Sequence, residues 1–215
     1  MSIYSNRSII VLFVLALVMF LPFYQASAQV SFETVEATFD TNNPGLNVQD
    51  FQVVNAPTGS VISCGTSPIN LTTNNTCFSP GEILAGIEFF ADPGDLLVLG
   101  DSLSASNNPA NVLVNSTFVD LLEIGFIGTT DAVGLTLGCV ATGFATCAET
   151  IVVSVFGETD NLIGSTNVAV TDSVDAFIGI ESLVPIGRIS MDFLVLGGSV
   201  VKAIHEVKFN SPPVG

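Results

Sequence analysis

The chain has 215 residues, 48% of them hydrophobic and 11% charged, and its 20 acidic and 4 basic residues give a formal charge of −16. So few cations exclude nucleic acid as a partner, because phosphates are bound by Lys and Arg that displace counterions, and the same charge repels anionic lipid surfaces. The apolar share excludes disorder and suffices for one folded domain.

Residues 1–28 have the parts of a secretory signal: Arg7, an unbroken apolar run over 9–20, Pro22, and Ala26-Ser27-Ala28 before Gln29. The run is shorter than the roughly 20 residues of a membrane span. The expectation is a secreted, extracellular protein with its signal at 1–28, one domain over 29–212, and no stable membrane anchor after cleavage.

Beyond the signal, short runs of Val, Ile, Leu, Phe and Thr alternate with clusters of Gly, Asn, Pro, Ser and Asp, as strands alternate with turns. Strands are predicted near 30–39, 51–54, 83–90, 96–99, 118–127, 132–137, 151–156, 167–171, 176–180, 187–194 and 200–209. Polar loops are predicted over 42–47, 63–80 and 102–111. The run Ile151 to Phe156, the turn residues Gly157-Glu158-Thr159-Asp160-Asn161 and a return through Leu162-Ile163-Gly164-Ser165 read as a hairpin. Further on, Ile186, Arg188, Ser190 and Asp192 alternate with Gly187, Ile189, Met191 and Phe193, giving one polar and one mostly apolar face. The whole predicts an all-β fold: a single antiparallel β-sandwich, jelly-roll-like, of about ten or eleven strands.

The cysteines are Cys64, Cys77, Cys139 and Cys147. Export makes disulfides the expectation, and among the possible connectivities proximity favours Cys64–Cys77 and Cys139–Cys147. Metal ligation is the weaker alternative, with no Cys-x-x-Cys pair and one histidine. Asn70, Asn74 and Asn115 head Asn-x-Ser/Thr sequons and are glycan acceptors if the secretory pathway is eukaryotic.

From residue 78 onward the order of segments carries a resemblance. It runs through Pro80-Gly81-Glu82-Ile83-Leu84-Ala85-Gly86-Ile87, Leu96-Leu97-Val98-Leu99-Gly100, Phe118-x-x-Leu121-x-x-Ile124-Gly125-Phe126, Ile151-x-Val153-x-Val155-Phe156-Gly157, Phe177-Ile178-Gly179-Ile180, Pro185-Ile186-Gly187-Arg188-Ile189 and Ala203-Ile204-His205-Glu206-Val207-Lys208-Phe209. This resembles jelly-roll β-sandwich modules of bacterial exported and cell-surface proteins, including those with PEP-CTERM sorting tails, and some such modules are similar to carbohydrate-binding domains. The closing strand departs from the usual Ile-Asp-Asp/Asn with Ile204-His205-Glu206, and no sorting tail follows, which implies release rather than anchoring.

Gly100-Asp101-Ser102-Leu103 looks like the first block of the GDSL esterases, in which Ser102 is the nucleophile and His205 the base. The supporting blocks fail: there is no Gly-x-Asn-Asp, Lys202 stands where Asp is needed, and no crossover helices are visible. Calcium, with hard oxygen ligands, is the better cation; Glu33 and Glu206, with Asp40 nearby, are its candidate ligands if it links the first and last strands. Trp is absent, and both tyrosines, Tyr4 and Tyr24, precede residue 29, so only Phe remains to stack on a sugar. The expectation is therefore no enzyme, but a non-catalytic secreted module with a surface-structural or adhesive role and an extracellular protein or glycan as partner. A glycan-binding, lectin-like module stabilised by calcium is the second reading, and a GDSL-type serine esterase the third.

Overall fold

A computed structural model describes residues 29–101, 110–117, 121–141, 147–171, 175–194 and 200–210. In chain order the elements are β1 (Val30–Glu33), α1 (Glu36–Asn42), β2 (Asn47–Asp50), β3 (Val61–Thr66), β4 (Ile69–Asn70), β5 (Ile87–Asp92), β6 (Asp95–Leu99), β7 (Val112–Asn115), β8 (Leu121–Phe126), β9 (Ala132–Ala141), β10 (Ala148–Gly157), β11 (Leu162–Thr171), β12 (Ala176–Ser182), β13 (Ile186–Phe193) and β14 (Val200–Phe209). The all-β, antiparallel expectation holds, with more strands than the sequence indicated.

The strands form two sheets. One has eight strands, ordered β1-β12-β9-β14-β7-β6-β3, with β2 also paired to β14; the other has six, ordered β11-β10-β13-β8-β5-β4. Within these, β12-β9-β14-β7 faces β11-β10-β13-β8, and the eight strands from β7 to β14 follow the double Greek-key order of a jelly roll. The remaining strands extend the sheets.

Alternation builds the core. Val133, Leu135, Leu137 and Cys139 on β9, Ile204 and Val207 on β14, Ile151, Val153 and Val155 on β10, and Ile189 and Met191 on β13 are all buried in one cluster. Side chains of period two from two sheets thus interdigitate. A smaller cluster of Leu99, Val112, Val114, Val140, Val201 and Ala203 lies on the opposite face of the eight-stranded sheet. Among the described residues no helix is long and apolar enough to cross a membrane.

The predicted strand over 30–39 is corrected: β1 stops at Glu33 and the chain turns into α1. Opposite each other on β9 and β12, Gly134 and Gly179 leave a hollow on the sheet surface. Phe39 fills it and is fully buried; a Cβ on Gly179 would lie 2.3 Å from its ring. Its ring also packs on Phe177, at 5.5 Å between centroids. A strand continuing β1 would not bring Phe39 there, so tertiary packing overrides the β-prone Thr34 and Val35. The predicted strand at 51–54 is a turn following β2, pinned by buried Asn111, whose Nδ2 donates to the Val54 carbonyl at 2.7 Å. The expected loops at 63–80 and 102–111 border or contain β3, β4 and β7, three strands too short or too polar to read as such.

Phe39→Ala is expected to cost about 3–5 kcal/mol, as deletion of a buried ring does, and Gly179→Ala to destabilise by displacing that ring. Urea denaturation followed by circular dichroism measures both; stability within 1 kcal/mol of wild type, roughly the scale of a surface change, would refute the packing role.

Candidate functional site

The sequence-predicted residues fall in different places. Both disulfides form as expected, Cys64–Cys77 with Cα atoms 5.1 Å apart and Cys139–Cys147 at 6.1 Å, and such bonds are typical of extracellular proteins. Asn70 and Asn74 lie near the first of them; Asn74 is exposed, and Asn70 Oδ1 accepts from Thr72 Oγ1 at 2.9 Å. Asn115 corrects the expectation of an exposed acceptor: it is fully buried on β7 and donates to the Thr117 carbonyl, leaving no room for a glycan.

The calcium set is also corrected. β1 and β14 are separated by β12 and β9, so at about 4.8 Å per strand a single ion cannot bridge them. The Glu33 carboxylate instead accepts the Val35 N–H at 2.8 Å, at the entrance to α1. Asp40 and Glu206 do converge, but around the Lys208 ammonium, which donates to Asp40 at 2.8 Å and to Glu36 at 2.6 Å and lies 3.8 Å from Glu206. Partial burial disfavours its charge, yet the hydrogen bonds and field of Asp40 and Glu36 outweigh this and hold the lysine above its ordinary pKa. Burial, more than Lys208 offsets, raises the carboxyl of Glu206. A lysine stands where the cation was expected.

Ser102 lies outside the described residues. His205 sits at a bulge in β14, where the register shifts between Ile204 and Glu206. It is 8% exposed, with Nε2 3.3 Å from Asp175 Oδ1. It packs over Gly138 of β9, where a Cβ would come within 2.6 Å of Nε2. Burial lowers its pKa to about 4 and raises that of Asp175. The esterase reading fails on architecture: that family needs helices crossing a parallel sheet, and the described strands pair antiparallel beside one seven-residue helix.

Functional groups converge on the outer face of the six-stranded sheet. Register sets Phe156 beside Arg188, Ser154 beside Ser190 and Val152 beside Asp192, with Glu123 of β8 opposite Ser190. The Arg188 guanidinium stacks 4.0 Å above the Phe156 ring centroid. It donates to Glu123 and, at 2.6 Å, to Asp160, the hairpin-turn residue with φ of 59°. Beside this pair a shallow dish of about 320 Å³ is lined by Ser154, Phe156, Ser190 and Asp192, together with Leu121 and Val152. Asp192 is held in place: its Oδ1 accepts the Phe193 N–H at 2.8 Å and lies 3.4 Å from the ammonium of Lys202, a lysine only 1% exposed whose charge also lies 4.6 Å from the Phe193 ring. The alternation of Arg188, Ser190 and Asp192 is visible in the sequence. Phe156 and Lys202 were missed, because their partners come from other strands. A larger groove of about 710 Å³ lies at the sandwich edge, between β11 and the β1/β12 edge. Its lining residues run consecutively along β11 and β12, so strand edges rather than converging side chains form its walls.

The chain matches no protein family, and no curated protein matches its sequence. Among solved structures it is similar to an arabinose-bound family GH51 α-L-arabinofuranosidase, with 10% identity and a TM-score of 0.40 over 76% of this chain and 31% of that one. It is similar also to a glycoside hydrolase family 43 arabinoxylan arabinofuranohydrolase from Bacillus subtilis in complex with cellotetraose, with 10% identity and a TM-score of 0.33 over 69% and 28%. The chain thus spans about a third of those proteins. The expectation that this chain is no enzyme is withdrawn on this finding, since both matches are to glycoside hydrolases; likeness this distant assigns it neither reaction nor substrate.

The buried histidine gives a pH signature. With its pKa depressed from 6.5 to about 4, neutral His205 contributes stability that is complete above pH 6.5 and lost as pH falls through 4, in total about 3 kcal/mol. The raised carboxyl of Asp175 works in the opposite direction. His205→Gln is therefore expected to flatten the loss of stability between pH 6.5 and 4, measured by denaturant melts across that range. An unchanged slope would show that the imidazole is not buried neutral.

Proposed function

We propose that this chain is an exported binding module that takes a neutral glycan on the outer face of its six-stranded sheet. The observation that carries the reading is the dish at Ser154, Ser190 and Asp192 beside Phe156. Hydroxyls and a fixed carboxylate supply hydrogen bonds to sugar hydroxyls, and Phe156, Leu121 and Val152 supply apolar surface, the mixture that small-ligand sites use. Arg188 is already engaged by Glu123 and Asp160, so it offers little to an anionic ligand, and the chain's charge of −16 repels one. With Phe as the aromatic residue at hand, and no phenol or indole to add a polar contact, affinity at one site is expected to be weak, about 1 mM or roughly −4 kcal/mol. Weak sites of this kind suit an adhesive role in which several act together.

An array of neutral and acidic oligosaccharides, followed by titration calorimetry, tests the reading. Neutral glycans are expected to bind, acidic ones not. Asp192→Ala and Phe156→Ala are each expected to lower affinity at least about tenfold, the loss of one good polar or stacking contact, with the fold intact by circular dichroism. Silence across the array, or full binding by both variants, would overturn it.

A further inference from the structure

Each sheet ends at edge strands. A strand edge presents unpaired N–H and C=O groups, and proteins blunt it by shortness, bulges, charge or proline. Among the described strands most edges are blunted. β4 has two residues and β1 four, and β1 is followed by a helix. β3 has six, is bulged between Ser63 and Gly65, and carries the Cys64–Cys77 disulfide. β11 is different. It is ten residues long, ends the six-stranded sheet, and pairs on one side with β10. Its sequence, Leu162-Ile163-Gly164-Ser165-Thr166-Asn167-Val168-Ala169-Val170-Thr171, holds no charge and no proline; its bulge lies at Ile163, next to the hairpin end, opposite Val155 and Phe156. Ser165, Asn167 and Ala169 are exposed.

We propose that β11 is the docking edge for a second copy of this chain, the two strands pairing antiparallel about a two-fold axis. Charge selects this occupant. In a chain of −16 most surfaces that meet their own copy bring carboxylates together, whereas two β11 strands meet without charge. An antiparallel two-fold pairing is self-complementary, as a closed dimer requires, and joins the two six-stranded sheets into one. Two further features fit. Leu162 is 59% and Leu183 78% exposed. Both lie at the same end of this edge, because Val30 packs on Gly164 and pairs with Ser182. In-register pairing then lays the partner's uncharged 162–166 half along the 710 Å³ groove beside Thr171, Phe32, Phe177 and the groove's one carboxylate, Asp175. The axis stands perpendicular to the joined sheet, so both outer faces point the same way. Dimerisation through this edge does not depend on what the dish binds.

Sedimentation equilibrium of the purified protein, from about 1 μM to about 1 mM, covers moderate to weak association. The wild type is expected to dimerise within that range. Two paired variants, Ser165→Lys/Asn167→Lys and Ser165→Asp/Asn167→Asp, are both expected to weaken dimerisation at least tenfold with melting temperatures near wild type. Their opposite signs separate like charges meeting across the edge from a change in net charge. A wild type monomeric throughout, leaving the edge to some other strand, would overturn the proposal, and so would a dimer that both variants preserve. Loss of glycan binding without change in dimerisation, or the reverse, tells the failure of one reading from that of the other.

Discussion

Two sheets can stack only if each offers an apolar face, and that requirement assigns every residue of every strand. Along β9 and β10 alternate positions are committed to the core, which leaves the outer faces and the edges for chemistry. The exceptions mark where the outer face is itself covered. Gly134, Gly138 and Gly179 lie where Phe39 or His205 settles against the sheet; a Cβ at Gly138 or Gly179 would collide with the ring above, and one at Gly134 would crowd it. Small residues on one element and a large side chain from elsewhere form a single packing unit, visible only once the strands are paired.

Charge is distributed by the same logic. Among the described residues the few cations are each set against acids: Arg188 between Glu123 and Asp160, Lys202 at Asp192, Lys208 among Glu36, Asp40 and Glu206. Each reaches at least one carboxylate outside its own strand, so in a strongly acidic chain the scarce cations act as local organisers. Lys208 holds α1 through the i, i+4 pair of Glu36 and Asp40 while Phe39 anchors it from below. Lys202 reaches Asp192 from the interior and fixes an acceptor on the exposed face. Surface ion pairs contribute little on their own; here their consequence is position.

How much of this was legible follows from range. Runs such as Val200–Phe209 carry their β preference locally, and β14 has those bounds. Short disulfides closed between neighbours were legible for the same reason. What was not legible depends on contacts distant in sequence. Phe39 leaves a β-prone run because its hollow lies on β9 and β12. Glu33 and Glu206 sit near opposite ends of the chain but not beside each other in the sheet. His205 is neutral because Gly138 admits it to a buried place. The dish needs Phe156, Ser190 and Lys202 from three strands, of which only the alternation on β13 could be seen in advance.

The order of strands, with β14 interior and β1 and β11 at edges, sets the positions of Phe39, His205, the dish and the β11 edge alike. Residue-resolved amide hydrogen exchange tests it most directly. Amides of β14 between Val201 and Val207 should be among the slowest, with free energies of opening near that of global unfolding. Alternate amides of β11 should exchange fast in dilute solution. Uniform protection along β11 at high dilution, together with rapid exchange along β14, would contradict the arrangement.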